Sequence, residues 1–263
     1  MGKDRPSDEI HDLFSLAGKT ALVTGSTRGI GFALARGLGQ AGAHILVNGR
    51  QPDSVEDAVS LLQRESVSAS GLVADVTQQE QIAGALQDYE TETGPIDILI
   101  NNAGMQHRAP LEEFDADVFA QMIDVNVKAA FYTAKALSQH MINRKYGKII
   151  NIASVMSLLA RPGIAPYTAT KGAIANLTKG MAADWAKYGL NCNAIAPGYF
   201  RTELNAALVA DEAFTDWLVK RTPAGRWGDV SDLVGTAVFL ASPASSFIQG
   251  QIIYVDGGLT ATV

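Results

Sequence analysis

Tyr167 and Lys171 stand at i and i+4, a spacing that puts both side chains on one face of a helix. A free tyrosine phenol has a pKa of about 10, too high for ready proton exchange at neutral pH. A neighbouring ammonium favours the phenolate and lowers that value. The pair is therefore suited to trading a proton with a substrate oxygen. Taken alone, a tyrosine and a lysine at this spacing are common and usually structural. Their company adds weight: Asn101-Asn102-Ala103-Gly104, Asn126 and Ser154 precede them, and Pro197-Gly198 follows.

A second chemical signal is Thr24-Gly25-Ser26-Thr27-Arg28-Gly29-Ile30-Gly31. Its glycines fall as G-x-x-x-G-x-G, not as the spaced G-x-G-x-x-G fingerprint. The physics is related: glycines let the backbone turn sharply and approach a pyrophosphate, whose charge a helix N-terminus stabilises. A tight turn without a ligand is the alternative, and placement between a strand and a helix disfavours it. An acidic residue about 20 residues further on would bond the 2′-hydroxyl of NAD. The chain has Asn48-Gly49-Arg50 there. Arg50, with Arg28 as a second cation, suits a 2′-phosphate, so NADP is expected over NAD. A solvated loop charge is the other reading of Arg50. Asp75 has the chemistry to accept from an adenine amino group or to cap the next helix.

These residues need a scaffold that gathers them. Apolar runs at 20–24, 44–48, 70–73, 96–101, 147–152, 190–195 and 251–255 read as strands. Helical spacing occupies 30–38, 54–65, 78–92, 117–144, 167–188, 211–221 and 230–240, with Gly189 as a C′ stop. Strands alternating with helices predict right-handed crossovers and a parallel sheet covered on both faces. The fold class is α/β: one doubly wound Rossmann domain with a seven-stranded parallel sheet over 13–263, behind a flexible tail at 1–12. Every polar candidate except Asn126 then falls at or beyond the carboxyl end of a strand, where ligands bind in open α/β sheets.

Composition sets outer bounds. The chain has 263 residues, 47% of them hydrophobic, enough for one sizeable core. A net charge of −6 argues against nucleic-acid binding. No apolar run is long enough to span a membrane, and the polar N-terminus lacks a secretory apolar region, so a cytoplasmic protein is expected. Cys192 is the only cysteine, and the histidines at 11, 44, 107 and 140 lack ligand spacing, so no metal site is expected. Ser154 is not in a G-x-S-x-G elbow, which disfavours a hydrolase. Trp185, Trp217 and Trp227 read as core or wall residues.

T-G-x-x-x-G-x-G, N-N-A-G, Ser154 and Y-x-x-x-K, in this order, resemble the short-chain dehydrogenase/reductase family from about Leu13 to the C-terminus. The resemblance implies a tetrad of Asn126, Ser154, Tyr167 and Lys171. Tyr167 would be the acid/base, and Ser154 would hold the substrate oxygen. Lys171 would bind the nicotinamide ribose and depress the tyrosine pKa, and Asn126 would hold a water of a proton relay. Gly25, Thr27, Arg28, Gly29, Ile30, Gly31, Arg50, Asp75, Val76, Asn102, Ala103, Gly104, Pro197, Gly198 and Thr202 would line the cofactor, which supplies the hydride chemistry. A homotetramer is implied as well, with the helices at 117–144 and 167–188 against symmetry mates.

Segments 104–108, 160–167, 223–228 and 250–258 resemble sugar-acid and polyol members of that family, which implies a reversible, NADP-linked reaction on a sugar acid. The residues suit such a substrate independently. Arg108 could clamp a carboxylate bidentately, and Gln106 and His107 could bond hydroxyls. Arg161 is a second candidate clamp, or a loop-fixing or subunit-contact residue. The helix at 211–221 could form a lid with Phe214, Trp217 and Leu218 facing the pocket. Reduction of another sugar acid, such as a deoxy-ketogluconate, or of a 3-oxoacyl thioester stays open, although the acidic net charge offers a carrier protein no support. A nucleotide-sensing scaffold on this fold need not keep the tyrosine and lysine, and the intact tetrad disfavours it.

Overall fold

Seven strands carry the predicted apolar runs: β1 (Thr20–Val23), β2 (His44–Gly49), β3 (Ala69–Val73), β4 (Ile98–Asn101), β5 (Gly147–Ile152), β6 (Leu190–Pro197) and β7 (Ile252–Val255). A computed structural model describes residues 10–263. All neighbouring strands pair in parallel, in the order β3-β2-β1-β4-β5-β6-β7. In β1, Ala21 sits opposite Ile45 on one side and Ile98 on the other. The chain winds outward from β1 through β2 to β3, then crosses back to β4 beside β1. That reversal opens a crevice at the carboxyl ends of β1 and β4, the ligand position of a doubly wound sheet.

The helices are α1 (Ile10–Phe14), α2 (Gly29–Gln40), α3 (Pro52–Arg64), α4 (Gln79–Glu92), α5 (Ala116–Ile123), α6 (Ala129–Arg144), α7 (Ala165–Trp185), α8 (Ala206–Ala210), α9 (Glu212–Arg221) and α10 (Val234–Ala241). They cover both faces of the sheet. Successive residues of β1 point to opposite sides: Ala21 and Val23 join one core with Leu34, Leu38, Leu62 and Leu240, while Leu22 joins the other with Leu86, Leu137 and Met181. Burial on both faces is why β4, β5 and β6, buried at every residue, lack the apolar–polar alternation of a half-exposed strand. Each leucine so buried stabilises the fold by about 1.5–3 kcal/mol.

Most element ends shift by a residue or two, and the following differences go further. The helix expected over 117–144 is interrupted by a π turn, Asp124–Lys128, between α5 and α6. Wide i→i+5 turns leave apolar periodicity almost unchanged, so the pattern did not betray it. The helix expected over 230–240 begins as a 3-10 turn, Val230–Leu233, closed by a capping box between Asp229 and Asp232. Of the tail expected over 1–12, residues 1–9 lie outside the described residues, and 10–12 belong to α1, which buries none of its residues. The stop at Gly189 stands as expected. Its φ is +88°, and a Cβ there would lie 2.5 Å from the Lys145 carbonyl oxygen.

Candidate active site

A cleft of about 990 Å³ runs along the carboxyl edge of the sheet. It is lined by Gly25, Thr27, Arg28, Gly29, Ile30, Gly31, Arg50, Asp75, Val76, Asn102, Ala103, Gly104, Gln106, Arg108, Ser154, Arg161, Tyr167, Lys171, Pro197, Gly198 and Thr202. Each was singled out from sequence. Asn126 and His107 are not among the lining residues.

The proton-handling groups meet where β5 ends and α7 begins. Ser154 follows β5, and its Oγ accepts from the Met156 N–H at 3.2 Å. Pro166 is the second residue of α7, in the first turn, where its missing N–H costs nothing. One turn of that helix presents Tyr167 and Lys171 together. Lys171 is buried, donates to the Ile152 carbonyl at 2.7 Å, and lies 5.7 Å from the Tyr167 ring centroid. Burial pushes the Lys171 ammonium down to about 8. Burial also pushes the Tyr167 phenol up to about 12, against the downward pull of the Ser154 hydrogen bond and the Arg108 charge. Desolvation is the largest influence on the phenol, and the Arg108 charge is among those opposing it.

Asn126 sits in the π turn, buried. Its Oδ1 accepts from the Met105 N–H at 2.7 Å, and its Nδ2 donates to the Met105 carbonyl at 2.9 Å and to Thr170 Oγ1 at 3.1 Å. Both amide donors are committed, so the side chain ties the segment after β4 to α7. A relay water at this residue would have to use its backbone.

The cofactor half is held by polar residues at strand ends. Thr24 Oγ1 accepts from the Asn102 and Ala103 N–H groups at 3.0 and 3.1 Å. Asn102 Nδ2 donates to the Thr24 and Gly25 carbonyls. A Cβ at Gly31 would lie 2.4 Å from that nitrogen, so the glycine lets helix and loop touch. No side chain caps α2, and its first turn holds no acid, which leaves its N-terminus suited to an anion. These features fit a pyrophosphate. Asn48 is buried and fully occupied: Oδ1 accepts from the Gly25 N–H, and Nδ2 donates to the Leu72 and Ala74 carbonyls. The end of β2 thus offers no carboxylate to a ribose, while exposed Arg50 stands 3.8 Å from Asp75 and Arg28 3.4 Å from Glu203. Asp75 does not cap α4. Its Oδ1 accepts from the Thr77 N–H and hydroxyl, an Asx turn, and the N-cap of α4 is Gln78.

The substrate half holds two guanidinium groups. Arg108 Nη2 donates to Gln106 Oε1 at 3.2 Å and Asn205 Oδ1 at 3.5 Å. Arg161 Nη1 donates to the Tyr199 hydroxyl at 3.3 Å. Partial burial and the nearby Arg161 charge both lower the pKa of Arg108. Among the described residues, neither arginine has a carboxylate partner. His107 turns away and packs edge-on against Phe114, 5.4 Å between centroids, which removes it as a hydroxyl ligand. Phe214, Trp217 and Leu218 do not line the cleft either. Leu218 is core, and the two aromatic rings pack behind Tyr199, so α9 backs the wall and is no lid. Trp185 and Trp227 pack in the interior as expected, whereas Trp217 is half-exposed. Among the described residues no His, Cys, Asp or Glu cluster could hold a metal.

Residues 25–260 match the family described as Enoyl-(Acyl carrier protein) reductase. The chain is 58% identical over 252 residues to gluconate 5-dehydrogenase of Gluconobacter oxydans (strain 621H), covering 96% of this chain and 98% of that one. The chain belongs to the short-chain dehydrogenase/reductase family. Within this family it is 49% identical over 254 residues to 5-keto-D-gluconate 5-reductase of Escherichia coli (strain K12), covering 97% and 100% of the two chains. A gluconate 5-dehydrogenase from Burkholderia cenocepacia J2315, solved in complex with NADP and tartrate, shares 54% identity and a TM-score of 0.95, over 97% of this chain and 100% of that one. As a short-chain dehydrogenase/reductase, the chain is an oxidoreductase.

Among the cleft residues of this short-chain dehydrogenase/reductase that the sequence did not single out, three make hydrogen bonds that shape the site. Asn48 was read only as a missing acid, yet a polar side chain closing an apolar strand was itself a signal. Tyr199, directly after Pro197-Gly198, lines the cleft beside Arg161. Asn205, which bonds Arg108 and the Phe200 carbonyl, carried no local signal because its partner lies far away in sequence.

Proposed function

We propose that this chain is an NADP-dependent dehydrogenase that interconverts D-gluconate and 5-dehydro-D-gluconate. One observation carries the reading. A single cleft is lined both by Ser154, Tyr167 and Lys171 and by two guanidiniums without carboxylate partners, Arg108 and Arg161. A keto sugar acid asks for both: a proton donor at its ketone and a cation at its carboxylate. The names of the relatives agree, and segments 104–108, 160–167, 223–228 and 250–258 resemble gluconate 5-dehydrogenase.

The glycine loop and the N-terminus of α2 would hold the pyrophosphate, Arg50 and Arg28 the 2′-phosphate, and Asp75 and Val76 the adenine side. Asn102, Ala103, Gly104, Lys171, Pro197, Gly198 and Thr202 hold the nicotinamide half. When bound, the cofactor supplies or accepts the hydride. Ser154 donates a hydrogen bond to the ketone oxygen. Tyr167 gives that oxygen its phenolic proton during reduction and, as phenolate, takes the proton back during oxidation. Arg108 binds the carboxylate, and its charge also favours the phenolate. Gln106 meets a substrate hydroxyl.

The working assembly is a homotetramer in the cytoplasm. Half-exposed Phe119 on α5 and Phe131 on α6 supply apolar contact surface, and among the described residues no helix is long and apolar enough to cross a membrane. Light scattering is expected to return the mass of four chains, and a monomer mass would remove the tetramer. The reaction is tested by following NADPH oxidation with a panel of ketones. Loss of NADPH with 5-ketogluconate is expected. Loss only with a deoxy-ketogluconate or a 3-oxoacyl thioester overturns the substrate.

A further inference from the structure

Behind the substrate end of the cleft four aromatic rings meet. Tyr199 packs edge-on against Phe214 at 5.5 Å, Trp217 at 6.4 Å and Trp227 at 6.0 Å. Phe214 in turn lies 5.3 Å from Trp217 and 6.0 Å from Trp227. Buried Trp227 donates from Nε1 to Thr215 Oγ1 at 3.3 Å, which ties the cluster to α9. Of the four, only Tyr199 reaches the cleft.

Two of these rings hold Arg161. Its guanidinium stands over the Phe214 ring, 5.0 Å from the centroid, and its Nη1 donates to the Tyr199 hydroxyl at 3.3 Å. A loop-fixing arginine normally ends on carboxylates or carbonyls. Among the described residues, the hydrogen bonding of Arg161 consists of that one bond to a neutral hydroxyl. The ring against the guanidinium limits its rotation, while the N–H groups beyond Nη1 keep the fork that matches a carboxylate. Arg108 faces the same space from the segment after β4, and two like charges converging without a counter-charge suit an anion between them.

We propose that Phe214 and Tyr199 are positioning residues for Arg161, and that through it they determine selectivity for an acidic over a neutral keto sugar. The proposal rests on the sugar-acid reading above. Phe214 touches neither cofactor nor substrate and acts only through the arginine. Helix α9 therefore shapes specificity without moving over the site.

The test compares Phe214→Leu, Phe214→Tyr, Tyr199→Phe and Arg161→Gln, with Phe214→Leu also placed on the Arg161→Gln background. Each is assayed with NADPH and 5-ketogluconate, and with L-sorbose, which has a hydroxymethyl group where the acid has its carboxylate. Phe214→Leu is expected to raise KM for 5-ketogluconate about ten-fold, with kcat, KM for NADPH and kcat/KM for L-sorbose held within about two-fold. Phe214→Tyr, which keeps a ring, restores KM. Tyr199→Phe shifts KM the same way. On the Arg161→Gln background Phe214→Leu adds nothing, because the arginine through which it acts is gone. An equal loss on the acid and the neutral ketose overturns the proposal. So does an unchanged KM in Phe214→Leu or Arg161→Gln, or the same Phe214→Leu effect with and without Arg161. These outcomes leave the sugar-acid reading standing if the wild-type protein turns over 5-ketogluconate. Failure of the wild-type protein with every keto sugar acid removes that reading, and the proposal with it.

Discussion

Tyr167 is pulled in two directions, and the balance sets how its activity should follow pH. Burial holds the phenol protonated, toward about 12, while Ser154 and Arg108 favour the phenolate. Reduction needs the proton in place, so its rate should stay flat through neutral pH. Oxidation needs the phenolate, so its kcat should climb as pH rises. A pH profile of both directions checks this, and oxidation that falls with alkali would contradict it. Replacing Tyr167 with Phe should cost about 10²–10⁴ in kcat with NADPH affinity retained, as read by steady-state kinetics and fluorescence titration. At Arg50 the expected effect is on cofactor choice. Arg50→Ala should raise KM for NADPH about ten-fold and leave KM for NADH nearly unchanged, because only the former carries the 2′-phosphate.

At the scale of elements, the β1–α2 junction depends on close contact. The Thr24 hydroxyl and the Asn102 amide lock the ends of β1 and β4 together, and Gly31 lets α2 press against that lock. Gly31→Ala places a methyl group 2.4 Å from Asn102 Nδ2 and 2.5 Å from the Gly25 carbonyl. One of these must move, at a cost of about 1–3 kcal/mol. Calorimetry should show NADPH affinity down at least about ten-fold, with a lowered Tm. The motif spacing showed that glycine belongs here. It did not fully show why, because the nearest atom that excludes a side chain belongs to Asn102, just past β4 and far along the chain. The π turn at Asn126 is similar. Asparagine was legible as a candidate, but its two bonds to Met105 exist only because α5 and α6 pack beside the segment that follows β4.

Across the whole molecule, the sheet buries a lysine far from the chemistry. Lys148 lies in β5, 2% exposed, with Nζ donating to Ser245 Oγ at 3.2 Å, and burial lowers it to about 8 from an ordinary 10.5. The unfolded chain then binds more protons than the native one between those values, so this residue's cost is fully present below pH 8 and is relieved as pH rises toward 10.5. Lys148→Met should raise Tm at pH 7, and its advantage over the wild type should shrink steadily on going alkaline. An advantage independent of pH would mean that packing, not charge, is responsible.

The chain's own pattern determined that seven strands alternate with helices, that glycines follow the first strand, and that serine, tyrosine and lysine stand after the fifth. Periodicity and local motifs are read within a few turns of backbone, so these were accessible without coordinates. Only the tertiary structure decided what depends on distant partners. It turned His107 toward Phe114, put Phe214 behind Arg161 instead of over the pocket, and spent Asn48 on tying strands together. It also buried Tyr167 and brought the Arg108 charge to bear on it. Desolvation and charge act through space, and the groups that supply them here come from other strands and loops.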